Sequence, residues 1–427
     1  MNLRNVIPVL SLSVFWSAAA ISQEGKVIVL DHADSLVSSV INGQEAQELI
    51  GHVAITQENV HINCDRAIRF MQARVFTLIG HVKVREDSLT ITAPRGTYYR
   101  DDRRAEAFDD VHLDDGKTQL SAGYGQYFVN ERRAFFQSHV VVVDSASTVT
   151  ADSLTYFRDA RRSIAVGNVK VYNSPDNLTI TGGHLVHDAN RQYSRMTVHP
   201  VLIQLDTATS GKIDTLQVRS IVMESFRDSV RLLVATDSVE IVRADLAGLA
   251  GSARFFTQGD SILLRRTPVI WYERTQVTGD SINVYLRKRK LHRVNVLGNA
   301  FAISRSDSLH PERFDQITGD LMKLFFVDQG LDRIDVESHA ISVYHVYEDS
   351  LANGLNKTSG DRILMFFADG KVRSIKIVGG VEGQYFPENM VLNREREYAI
   401  PGFNWREDRP VITRQATRRA EGHAGSR

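Results

Sequence analysis

Three columns of chemically capable residues recur in this sequence. His52, His81 and His139 share one column with Asp110 and Asn168, at a step of 29 residues (81−52 = 29). On stacked strands such neighbours come within about 5 Å, close enough for imidazoles to share a metal ion. A zinc site needs three or four protein ligands and partners that orient them, so a solvated turn position is the plainer reading. Arg74, Arg103, Arg132 and Arg161 form a second column, doubled by Arg104, Arg133, Arg162 and Arg191. It offers either a basic rim for bidentate phosphate contact or a corner offset by Asp101, Asp102, Glu131 and Asp159; the acids favour the corner. Phe70, Tyr99, Phe128 and Phe157 make the third column, read as core rather than ligand site. His184 and His187, three apart on a strand, face opposite ways. Cys64, the single cysteine, aligns with Ala93, Ala122 and Ala151 and reads as a small buried hydrophobe; a reactive thiol needs an exposed, electropositive setting.

No phosphate loop, nucleophile elbow, H-E-x-x-H pair or C-x-x-C is present. The expectation is a protein that is not an enzyme and carries no cofactor and no metal. Lys plus Arg and Asp plus Glu both total 51, so no net positive field draws nucleic acid.

The elements that must position these residues are strands. Val53, Val82, Val111, Val140 and Val169 repeat at the same 29-residue step, and Ile62, Ile91, Leu120, Val149 and Leu178 repeat beside them. A fixed period of this size marks stacked supersecondary units that bury their apolar faces against each other. Within a unit, apolar and polar residues alternate with period two, as in Val82 and Val84 against Lys83 and Arg85. Gly51, Gly80, Asp109, Ser138 and Gly167 precede the first strands and tolerate a bend there. After Thr181 the ladder continues irregularly through Val201, Val239, Val269, Ala300, Ala340 and Val381, with polar inserts at Asn353 to Gly360 and around Ser306 to Glu312 expected to be loops. Gly259-Asp260, Gly279-Asp280, Gly319-Asp320 and Gly360-Asp361 read as one repeated corner. The class is all-β, about eleven stacked two-strand repeats.

Residues 1–20 carry one basic residue, an apolar run and a small-residue end at Ala18 to Ala20, the pattern of an export signal and too short to span a bilayer. The expected division is 1–20 signal, 21–210 regular repeats, 211–390 divergent continuation, and 391–427 an extension disordered at its end. The inward residues expected to line an apolar trough are Val53, Ile55, Ile62, Val82, Val84, Ile91, Val111, Leu120, Val140, Val149, Val169 and Leu178. Periodicity alone leaves open whether that trough is open or sealed.

The strand from Gly80 to Val84 followed by Leu89 to Ala93, and the strand from Gly167 to Val171 followed by Leu178 to Gly182, each with an aromatic before an arginine-bearing turn, resemble the OstA/LptA family of lipopolysaccharide-transport proteins. The resemblance runs over about Glu48 to Leu205, and the stretch Gly402 to Trp405 is similar to the close of long Bacteroidetes-type OstA-like proteins. It implies an elongated open β-jellyroll, or β-taco, whose inner face holds the acyl chains of lipid A in the periplasm. Implied partners are lipopolysaccharide, other transport proteins joined through end strands, and further copies of the chain end to end. A closed β-solenoid with a structural or adhesive role is the alternative; a polysaccharide-acting β-helix enzyme is a weaker one, because the acids scatter into turns.

Overall fold

Alternating β-branched and polar residues give antiparallel strand through almost the whole chain. The computed structural model describes residues 29–412, apart from breaks at 58, 73, 176, 208–212, 228–230, 245, 257–259, 288–289, 307–309, 329, 349–350 and 369–370. The expected export signal and the end of the C-terminal extension lie outside the described residues. Among those described, the helical segments are one turn at Glu388–Val391 and a 3-10 turn at Glu395–Tyr398. The fold is all-β and built of stacked antiparallel strands, as the periodicity predicts, and it agrees with the jellyroll that the resemblance implies. It forms two units, an N-terminal one of residues 29–200 with 224–227 and a C-terminal one of 201–223 with 231–412.

In the N-terminal unit each long strand is bent midway, and the bend is where the repeat originates. Pairing slips between Ile50 and Val53, Ile79 and Val82, and Phe108 and Val111, so every second strand carries a bulge that turns it from one sheet into the facing one. The bulge is two successive residues with left-handed backbone: Gly51-His52, Gly80-His81, Asp109-Asp110, Ser138-His139, Gly167-Asn168 and Val198-His199. The C-terminal unit repeats the device at Asp237-Ser238, Arg266-Thr267, Gly298-Asn299, Ser338-His339 and Gly379-Gly380. These eleven corners match the repeat number read from the sequence. Asn, Asp and His tolerate left-handed backbone better than other side chains, which explains a column of His, Asp and Asn at the second position. At Val198-His199 and Arg266-Thr267 a proline follows, and the ladder valine falls one residue later. That extra residue accounts for part of the irregular spacing.

The first corner position is packed by a reciprocal device. At Gly80 an added Cβ would overlap the Asp65 carboxylate of the neighbouring strand. At the Ser138 corner the neighbouring strand carries Gly123 instead, where an added Cβ would lie 2.8 Å from the serine Cβ. At these two corners one side chain fills the space, and it comes from either strand. Asp280, Asp320 and Asp361 of the Gly-Asp steps sit across such corners, as Asp34, Asp65 and Asp152 do. Asp260 differs, being itself a left-handed residue at a hairpin end.

At the opposite end of each N-terminal repeat the hairpin turns are tied in series. Arg100 N–H donates to Arg74 C=O (3.2 Å), Val129 to Arg103 (3.0 Å), Arg158 to Arg132 (3.0 Å) and Ala189 to Arg161 (3.0 Å). This satisfies backbone groups that a turn otherwise leaves to water.

The C-terminal unit corrects one expectation. Asn353 to Gly360 is no loop; it lies within the strand Leu351–Ala368, paired on one side with Gly330–Glu348 and on the other with Glu382–Pro387. Its backbone is hydrogen-bonded on both sides, which stabilises strand in a polar sequence. Ser306 and His310 to Glu312 do fall outside strands. The extension after Pro387 is ordered up to residue 412 and runs back across the strands. Ile400 N–H donates to Gln316 Oε1 (2.9 Å), Gln276 Nε2 donates to Asn404 C=O (2.7 Å), Arg406 N–H donates to Gln276 Oε1 (2.8 Å), and Arg409 Nη1 donates to Glu273 C=O (2.6 Å). Val391 and Ile400 pack with Phe301, Ile303, Val343 and Leu355, and Phe403 and Trp405 lie against that cluster. Ala300 to Ile303 and Val269 to Tyr272 are consequently buried at every position, on both strand faces.

Candidate functional site

The twelve residues expected to point inward are buried or half-buried in the N-terminal unit and lie beside one another on adjacent strands, as Val53 with Cys64, Ile55 with Ile62, Val84 with Ile91, and Leu120 with Val142. Their environments divide along the stack. Ile55, Ile62 and Val84 are half-buried, and with Val82 and Ile91 they line a cavity of about 240 Å³. Val53 packs beside it with Cys64, Ala67 and Val82. Val111, Leu120, Val140, Val149, Val169 and Leu178 are 1–2% exposed and sit in sealed core.

The opening follows from a change of side-chain size on the facing sheet. Around the cavity that sheet presents Gly96, Ala105 and Ala107, together with Phe76 and Leu78. One step of 29 beyond Ala107 stands Phe136, buried, with its ring beside Gly125. A Cβ on Gly125 would lie 3.2 Å from that ring and 3.5 Å from Val111 of the opposite sheet. At the equivalent position of the next repeat the interior thus holds a buried ring where the cavity lining has the Ala107 methyl. The column Leu78, Ala107, Phe136 was legible as spacing, and its alternation of size is the signal that periodicity analysis overlooked.

Polar groups are few at this lining. Tyr98 brings a phenol, pushed up in pKa by burial, and Arg95 and Glu106 stand at its margin. Arg95 Nε donates to Asp109 Oδ2 (2.6 Å), and its guanidinium lies 4.8 Å from the Phe108 ring centre.

The histidine column is a set of corner residues. His81 Nδ1 lies 2.8 Å from Asp65 Oδ2, His52 Nδ1 3.0 Å from Asp34 Oδ2, and His339 Nδ1 2.9 Å from Asp320 Oδ2. Among the described residues no group of three or more His, Cys, Asp or Glu is placed to hold a metal ion. The Asp34 carboxylate raises the pKa of His52, and hydrogen bonds from His52 and His32 lower that of Asp34. The arginine column is charge-balanced: Arg74 pairs with Asp101 at 3.3 Å and Arg132 with Asp159 at 3.1 Å, while Arg104 and Arg133 cover the rings of Tyr99 and Phe128 at 4.4 and 4.0 Å. Those aromatics are half-buried at strand ends rather than in the core. Cys64 is buried and its thiol pKa is raised by burial, so the reactive thiolate is disfavoured.

The family profile of OstA-like proteins matches residues 24–179, the stretch that holds the cavity and the regular repeats. This segment is OstA-like. No curated protein matches the chain. Among solved structures, LptH of Pseudomonas aeruginosa, described as the LptA-homologous periplasmic component of the lipopolysaccharide transport device, is similar at 16% identity; the match covers 35% of this chain and 96% of that one, with a TM-score of 0.18. Within the OstA-like segment, the strands Val29–His32 and Ser35–Ile41 pair along one side with Gln44–Gln57 and leave Leu36, Val37 and Val40 in solvent.

Proposed function

We propose that this chain is a non-enzymatic periplasmic carrier of lipopolysaccharide, and that the cavity of its OstA-like segment shelters lipid A acyl chain from water. The carrying observation is an apolar lining left half-exposed at Ile55, Ile62 and Val84, where the same columns further on are sealed. Each methylene transferred from water into such a lining contributes about 0.8 kcal/mol, so transport needs neither cofactor nor covalent chemistry. The exposed apolar edge at Ser35–Ile41 supports pairing with the end strand of another transport protein or of a second copy.

Photocrosslinkers placed at Val82 and Ile91 test the reading in cells that make lipopolysaccharide. Adducts from these two positions and none from the outward Lys83 and Thr90 are expected; adducts confined to Lys83 and Thr90 would sink it. The sealed interior of the C-terminal unit and the segment laid over its outer face favour a structural role for that unit, the solenoid-like alternative.

A further inference from the structure

We infer that Phe136 is the end wall of the acyl cavity, so that the N-terminal unit holds one short stretch of chain and lets it enter and leave on the same side. This rests on the acyl-binding reading above and adds what bounds it. The column that starts at Ile62 closes progressively: Ile62 is half-buried, Ile91 is 6% exposed, and Leu120, Val149 and Leu178 are 1–2% exposed, whereas the valine column is buried throughout. The closure coincides with the step from Ala107 to Phe136, which is 2% exposed and whose ring lies 3.2 Å from where a Cβ on its cross-strand neighbour Gly125 would stand, a point 3.5 Å from Val111 of the opposite sheet. Four strand segments, from Val53 to Ala93, floor the cavity; three spacings of about 4.8 Å give a run of about 14 Å. At 240 Å³ the space lies below the usual range for small-molecule sites, about 300 to 1,000 Å³. It suits a single saturated chain of medium length and excludes the full set of tails of a multiply acylated lipid. A closed end wall also makes the interior a holder rather than a conduit, because a chain cannot slide on past Phe136 toward Val140.

Displacement of cis-parinaric acid by saturated fatty acids of increasing length, measured on the full mature chain, tests this. Affinity should rise with length and then level off at medium length in the wild type. Phe136→Leu and Phe136→Ala should move the plateau to longer acids in that order, and Ala107→Phe should weaken binding at least tenfold. Because Phe136→Ala removes a buried ring, near-ultraviolet circular dichroism checks its fold, and crosslinkers at Ile91, Val140 and Val149 in the otherwise unaltered chain give a readout free of that concern. Adducts at Ile91 alone are expected. Adducts at Val140 or Val149, or a plateau that Phe136→Leu leaves in place, would overturn the end wall while leaving acyl binding standing. Failure of every fatty acid to bind would overturn both.

Discussion

His187 shows how a single inward polar residue can set pH behaviour. It is buried between Ser163 and Ser194 on adjacent strands, accepts or donates at Nδ1 with Ser194 Oγ (2.9 Å), and has its pKa lowered to about 4, first by burial and then by the charge of Arg227. Between pH 6.5 and 4 the unfolded chain binds a proton that the folded chain refuses, so stability falls as the pH drops through that window. The shift corresponds to about 3 kcal/mol. Denaturant unfolding from pH 7 to 4 should show that loss, and His187→Gln should flatten it. His52 works in the opposite sense. Its pKa is raised by Asp34, so the interaction is fully present below the unfolded value of 6.5 and is lost as the pH climbs through the raised folded value. The His52 ring resonance should titrate above 6.5 by NMR and return to the ordinary range in Asp34→Asn. Neither behaviour was legible in the sequence, where His52 was one of a column and His187 only a residue facing away from His184; both depend on what the neighbouring strand places opposite.

The element in which sequence and structure meet is the bent strand. Its period, its apolar face and the bend residues were readable because each obeys a local rule: alternation for strand, and permissive residues for left-handed backbone. What spacing did not reveal was the cross-strand rule at the bend, since it joins Gly80 to Asp65 and Ser138 to Gly123, residues about half a repeat apart. Gly80→Ser should therefore destabilise the N-terminal unit by about 1–3 kcal/mol, through overpacking against Asp65 as well as backbone strain. Adding Asp65→Gly should recover part of that loss. A double-mutant cycle by chemical denaturation measures the coupling, and strictly additive losses would show that the two positions do not share the space. The extent of the cavity escaped notice for a related reason. The inward valines and isoleucines differ little from repeat to repeat, and the decisive difference, Ala107 against Phe136, lies on the facing sheet.

At the scale of the whole molecule, the second half was legible as repeats but not in its finish. Four consecutive apolar residues at Val269 to Tyr272 and again at Ala300 to Ile303 announce strands covered on both faces, yet nothing local says that residues 388–412 provide the cover. The anchor of that segment is Arg313, fully buried, whose Nη2 donates to Glu388 and whose Nε lies 3.5 Å from Glu395 Oε1. Arg313→Ala leaves partly buried carboxylates without their cation and should cost about 3–5 kcal/mol. Calorimetry should register this as a lower transition for the C-terminal unit, with fatty-acid binding at the N-terminal cavity unchanged. Loss of binding in that variant would show that the two halves do not act separately.

The sharing of one side chain between the two strands of a corner also has a hereditary consequence. A lineage can pass from a glycine bend facing aspartate, as at Gly80, to a side-chain-bearing bend facing glycine, as at Ser138, only by changing two codons. Of the two possible orders, one passes through a crowded pair and the other through a pair of glycines, which is loose but unobstructed. At such corners descent should favour the second route, although Ser338 facing Asp320 shows that a bend can also carry a side chain on both strands.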